Sequence, residues 1–193
     1  MTAARREKDP PSDAELLAGV AAPVIDPAPF SRTVEWLGAL FDRHAASLHV
    51  FVRRVAPRED ADDVVQDTFL RVTRVAASYD ARGASARAWL FGVAFSIVRE
   101  RRRAFARLRR VLASLLRETP SRAVTAAGST RTEVEQALES LSPARRDVVV
   151  LTEVMGMSAP EAARVLGISA GAVWTRLHEA RRELRKHAGA TDV

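Results

Sequence analysis

Residues 158–186, SAPEAARVLGISAGAVWTRLHEARRELRK, read as two helices joined by a tight turn. Ser158 stands at an N-cap position, and Glu161 three residues later completes a capping box. Pro160 falls in the first turn, where its missing N–H costs little. Ala162, Ala163 and Leu166 form an apolar face. Gly167 supplies the left-handed stop. Ser169 caps a second helix, which buries Val173, Leu177, Ala180 and Leu184 at helical spacing. Its opposite face carries Trp174, His178, Arg181, Arg182 and Arg185. A short helix, a glycine turn and a longer helix with a basic outer face form a helix-turn-helix pattern, which implies duplex DNA binding. The plain alternative is a helical hairpin with a solvated basic face.

The rest of the chain agrees with an all-α fold. Period-two clusters of β-branched and aromatic residues are rare. The 193 residues carry a formal charge of +6, which suits a polyanionic partner. With no cysteine, thiolate metal sites, disulfides and cysteine nucleophiles are excluded. The four histidines, His44, His49, His178 and His187, lie in no metal or catalytic pattern, and no phosphate-cradling glycine loop is present. The sequence therefore implies no enzyme, no cofactor and no metal. No apolar run is long enough for a bilayer, so membrane insertion is not expected and a cytoplasmic location is.

Residues 1–30 hold five prolines and read as a flexible tail, within which Ser12 and Glu15 can cap one short helix through Leu16 and Leu17. Helices are expected over 33–56, over 59–77 and from Ala86 onward, with a loop at 78–85. The third helix runs into an arginine-rich end, Arg99 to Arg110. Residues 116–131 have linker composition. Helices over 132–141 and 142–154 then lead into the helix-turn-helix. The expected organisation is a tail (1–30), a helical domain (31–115), a flexible linker (116–131) and a helix-turn-helix domain (132–193).

Two blocks together carry a family resemblance. DDVVQDTFLRV at 62–72 with YDARGASARAWLFGVA at 79–94 resembles the second conserved region of bacterial sigma factors. LSPARRDVVVLTEVMGMSAPEAARVLGIS, followed by GAVWTRLHEARRELR, resembles their fourth region. Having these two regions alone, with a short connection, is similar to the extracytoplasmic-function (ECF) group of the sigma-70 family. The resemblance implies a fold of two small helical domains. It implies binding to core RNA polymerase and promoter-specific initiation, with region 2 recognising and melting the −10 element and region 4 reading the −35 element.

It also implies residue roles. Asp63, Gln66, Asp67 and Leu70 would face the polymerase. Tyr79, Asp80, Ser85, Arg87 and Ser96 would take unpaired −10 bases, and Arg101, Arg102 and Arg103 the backbone phosphates. Trp174, Thr175, Arg176 and His178 would read the −35 duplex, with Arg181, Arg182 and Arg185 on phosphates. Ser96 stands where the family typically has asparagine, Trp174 where relatives carry a base, and Glu179 where they often do. Trp89 reads as core. Core polymerase and promoter DNA are the implied partners, with an anti-sigma protein as a further candidate. Two other functions remain open on the residues: a stand-alone helix-turn-helix regulator, and a sigma-like adaptor that no longer reads promoters.

Overall fold

A computed structural model of the chain describes residues 10–22, 27–116 and 132–191. Among them every regular element is helical. The order is α1 (Asp13–Ala21), α2 (Pro27–Val55), α3 (Ala61–Val75) with a 3-10 turn at Ala76–Ser78, and α4 (Ala86–Leu116). Then come α5 (Glu133–Ser140), α6 (Pro143–Val149), a π-helical turn (Val150–Val154), α7 (Ala159–Leu166) and α8 (Ala170–Thr191). The linker read at 116–131 lies, beyond Leu116, outside the described residues.

Local chemistry sets most boundaries. Asp60 caps α3 by accepting from the Asp62 and Asp63 amides. Capping boxes open α5 (Thr132 with Glu135) and α7 (Ser158 with Glu161). Gly167 ends α7 at φ 67°. The Arg146 guanidinium donates to the carbonyls of Leu138, Glu139 and Leu141, which closes the free end of α5. One expected helix, 142–154, changes pitch instead. The Thr152 hydroxyl donates to the Val148 carbonyl at 2.9 Å, and this back-bonding goes with the π-turn that follows α6.

The N-terminal core is built where α2, α3 and α4 meet. Phe51, Val52, Val64, Val72, Leu90, Phe91 and Val98 are buried there. The sequence places a tail over the first thirty residues, but α1 is docked on this core. Ser12 and Glu15 form a full capping box, and Leu16, Leu17 and Val20 are buried. Asp13 clamps the helix from outside. Its carboxylate accepts from Arg43 at 2.9 Å and lies 2.8 Å from His44 Nε2. The helix covers α2, the 3-10 turn, α3 and α4. Three apolar side chains on one face outweigh the proline-rich flanks.

Gly19 is the contact point of α1. A Cβ there would lie 0.8 Å from Trp36 Cε3. Gly19→Ala is therefore expected to destabilise the docked helix by about 1–3 kcal/mol, the usual cost of overpacking. The loss should appear as faster hydrogen exchange across α1, with α8 unaffected.

The C-terminal half buries Val148, Val149, Leu151, Met157, Ala162, Leu166, Val173, Leu177 and Ala180 between α6, α7 and α8. The two halves do not stand apart. α7 packs along α4, and α6 with its π-turn touches α2.

Candidate nucleic-acid interface

The second helix of the helix-turn-helix unit, α8, presents one open face. Trp174, Thr175, His178, Arg181, Arg182 and Arg185 are exposed on it, and Trp174 is 60% exposed. Val173, Leu177 and Ala180 hold the helix down from the other side. The caps and glycine turn thus deliver four of the seven −35 candidates as free surface. Two others are also exposed but engaged: Arg181 is paired with Glu153 at 2.6 Å, and the Thr175 hydroxyl donates to the Gly171 carbonyl. Arg176 differs. It is half-buried, and its charge acts on Asp147 beneath the helix. It therefore lies on the flank of α8 instead of the open face.

Glu179 does not face the groove side either. Arg145 on α6 donates to it at 3.0 Å and to Glu183 at 3.1 Å. The acid that interrupts the basic pattern in the sequence is neutralised within the unit. Nothing in one helix's periodicity reveals a partner on another helix, so sequence alone missed Arg145.

The loop between α3 and α4 is held by contacts of its own residues. The Asp80 carboxylate accepts from the Arg82 amide at 2.9 Å, folding the turn on itself. The Tyr79 ring meets Trp89 edge-on at 5.8 Å, and its hydroxyl donates to the Ala84 carbonyl. Ser85 caps α4 by accepting from the Ala88 amide. Ser96 donates to the Val93 carbonyl and accepts from Arg71 at 3.2 Å.

Several of these residues reach the C-terminal half. The Ser85 hydroxyl donates to Glu161 at 2.9 Å, and Arg87 donates to the Met155 carbonyl at 2.7 Å. Arg102 grips Asp147 with two bonds, 2.9 and 3.0 Å, and also donates to the Val55 carbonyl. Arg101 pairs with Glu59 and with Asp67 at 2.6 Å. Of the three arginines read as phosphate contacts, Arg103 remains exposed.

On α3, Asp63, Gln66, Asp67 and Leu70 are exposed along one stripe, with Leu70 54% exposed. Val64, Val65, Thr68, Phe69 and Val72 fill the opposite side.

Burial pushes the Asp147 carboxyl up, against the opposing pull of the Arg102 bonds. Glu161 moves the other way. Hydrogen bonds from Ser158, helped by Ser85, hold its carboxyl below the ordinary glutamate range. A carboxyl lowered in the folded state contributes stability above its unfolded value, and loses it as pH falls through the folded value. Acidification below about pH 4.5 is therefore expected to loosen the α7 cap. In Glu161→Gln this part of the acid limb should vanish from a stability-versus-pH curve measured by denaturant unfolding. Among the described residues no cluster of His, Asp or Glu could hold a metal ion, and no helix is long and apolar enough to cross a membrane.

A helix-turn-helix with an exposed basic face is joined here to a helical bundle with an exposed acidic and apolar stripe, a form that suits a DNA-binding protein able to dock on other protein. Comparison with known proteins makes the class specific. Residues 40–111 match the family model for sigma-70 region 2, and residues 131–184 that for sigma-70 region 4. The RNA polymerase sigma factor CnrH of Cupriavidus metallidurans is 34% identical over 189 residues, covering 90% of this chain and 94% of that one. The ECF RNA polymerase sigma factor SigL of Mycobacterium tuberculosis is 37% identical over 152 residues, 76% and 85% of the two chains. The solved structure of CnrH in complex with the cytosolic domain of CnrY superposes with a TM-score of 0.64, over 92% of this chain and 97% of that chain. The chain belongs to the sigma-70 family, in its ECF group. It is a sigma factor that binds core RNA polymerase and directs promoter-specific transcription initiation.

Proposed function

We propose a division of labour by residue. Residues 31–115 and 132–193 act as two functional units. The first docks on core polymerase through Asp63, Gln66, Asp67 and Leu70, and captures the opened −10 strand along the loop and α4. Tyr79, Asp80, Ser85, Arg87 and Ser96 line that path, and Arg101, Arg102 and Arg103 follow the backbone. The second unit lays α8 in the −35 major groove. Trp174, Thr175 and His178 meet base edges there, Arg176 approaches from the flank, and Arg181, Arg182 and Arg185 hold phosphates. The protein acts by binding, without chemistry of its own, in the cytoplasm. Structural relatives include CnrH held by the cytosolic domain of CnrY. An anti-sigma protein is accordingly a candidate partner here.

The observation that supports this most is the pair of open faces, basic on α8 and acidic with an apolar centre on α3. Replacing Arg182 and Arg185 together by alanine is expected to weaken promoter binding by the polymerase holoenzyme at every sequence alike. The salt dependence of binding should fall by about two phosphate contacts. Unchanged salt dependence would count against α8 as the duplex reader. A strong gel shift without polymerase would instead favour a stand-alone regulator.

A further inference from the structure

The end of α8 that enters the groove first is short of charge. Its first two turns present Gly171, Trp174, Thr175 and His178 outward, and no arginine shares that stretch of the open face. The nearest cations are drawn elsewhere. Arg176 lies on the flank, where its charge acts on Asp147. Arg181, just beyond the stretch, is paired with Glu153 at 2.6 Å. Arg182 and Arg185 are exposed, but they stand farther toward the C-terminal end of the helix. The Thr175 hydroxyl donates to the Gly171 carbonyl at 3.1 Å, so its proton is spent inside the helix. What Thr175 has left to offer is a methyl group and an acceptor lone pair. The indole of Trp174 is the largest group on this stretch, and it is 60% exposed. A Cβ on Gly171 would meet only the Ser169 Oγ, at 3.9 Å, so nothing crowds the helix surface one turn before the indole. Val173 and Leu177, buried beneath, fix the direction of the face.

We infer that Trp174 selects its −35 element through a thymine C5-methyl group. This rests on the reading of α8 given above as the −35 helix. In the major groove thymine alone presents an apolar group, and the other base-edge features are hydrogen-bond donors or acceptors. A guanine edge calls for a forked cation. The first two turns of α8 hold no such group on their open face. The indole Nε1–H is a single donor, and it does not tell guanine from adenine, since both show an N7 acceptor. His178, one turn later, adds one further bond of the same kind. Discrimination between bases therefore falls to apolar contact, which a methyl group rewards and a bare ring edge does not. Charge is kept for the backbone. Arg182 and Arg185 continue the face occupied by the indole, so base contact and phosphate contact follow one another along a single stripe. That continuity favours duplex over a protein surface as the occupant. Glu179 does not oppose it, because Arg145 holds its carboxylate toward α6.

Holoenzyme formed from core polymerase and the full chain is presented with a promoter library randomised across the −35 region. Selection for binding is expected to enrich an upstream element that contains a recurrent thymine on one strand or the other. Each recurrent thymine is then exchanged in turn for deoxyuracil, which removes the methyl and leaves every hydrogen-bonding group in place. At one position the swap should weaken holoenzyme binding by about fourfold, the loss that corresponds to one buried methyl group. In Trp174→Ala the same swap should have no effect, because the coupling runs through the indole. Trp174 is exposed above the buried Val173 and Leu177, so this variant keeps its core. An element without a recurrent thymine, native binding indifferent to every swap, or an equal loss in Trp174→Ala each overturns the proposal. A protein-facing indole also overturns it, with its own signature: Trp174→Ala then lowers affinity for core polymerase in the absence of DNA, and no swap matters. Failure of the underlying reading looks different again. Selection would then enrich no upstream element, and Arg182→Ala with Arg185→Ala would leave the salt dependence unchanged. If only the thymine contact is wrong, the element and the salt dependence both survive.

Discussion

Arg102→Ala is expected to cost the closed packing about 3–5 kcal/mol, because it strands a buried carboxylate. Asp147 is 5% exposed, and Arg102 supplies both of its recorded side-chain hydrogen bonds. The same guanidinium also satisfies the Val55 carbonyl. Water reaches Asp147 most cheaply if the halves part, so the variant should open before it unfolds. Small-angle scattering should show a larger radius of gyration, and hydrogen exchange should quicken across α6 and α7. The buried Leu48, Phe51 and Val64 region should keep its protection. Arg102→Lys should fall between, since an ammonium cannot reproduce a two-pronged bond. The pH dependence identifies the cause. Without Arg102 the Asp147 carboxyl rises further, so the closed state takes up a proton before the open one does. Its stability then increases as pH falls through that raised value. The penalty of Arg102→Ala should shrink on acidification, and the paired change Arg102→Met with Asp147→Leu should largely remove it. A penalty independent of pH would mean that the charge of Asp147 is not the cause.

What could be read in the sequence follows the range of the interactions. The helix-turn-helix was legible because its signals are local: a capping box at Ser158 and Glu161, a left-handed stop at Gly167, a serine cap at Ser169. All three are present in the structure. The α3 stripe was legible for a similar reason, from helical periodicity over 59–77. Docking of α1 was not. Leu16, Leu17 and Val20 make a short pattern between prolines, and their burial is decided by Trp36 and Arg43 well along the chain. Contact between the halves was also hidden. Ser85, Arg87 and Arg102 take nucleic-acid roles from the family resemblance, and nothing in one dimension shows their partners Glu161, Met155 and Asp147. One signal was available. Asp147 is an acid directly before the apolar run Val148 to Leu151, and buried acids demand a cation. Which arginine answers that demand is not written in the sequence, since Arg145 and Arg146 stand directly before Asp147 and the one that bonds it is Arg102. The family resemblance supplied roles from the start, but it carried no information on how the two regions meet in this chain.

Phe91→Ala is expected to lower stability by about 3–5 kcal/mol, a large part of the ~5–15 kcal/mol that holds a domain together. Phe91 is fully buried, and its ring meets Phe51 of α2 at 5.2 Å, so truncation opens a cavity where α2 and α4 join. The outer side of the same ring has a second role. The Arg87 guanidinium lies 5.2 Å above it while donating to the Met155 carbonyl. One phenylalanine therefore joins the core of the first unit to the contact with the second. Phe91→Leu separates these roles. Leucine keeps much of the apolar volume, and its packing cost should stay near 1.5 kcal/mol or below. It offers no ring face, so Arg87 loses a cation–π contact of about 0.5–2 kcal/mol. Denaturant unfolding should thus find Phe91→Leu close to the native chain and Phe91→Ala far below it. Hydrogen exchange across the π-turn should nevertheless quicken in Phe91→Leu, because Arg87 no longer holds Met155 as firmly. If exchange there stays at the native rate, the ring serves the core alone, and Arg87 is held by its hydrogen bond to Met155.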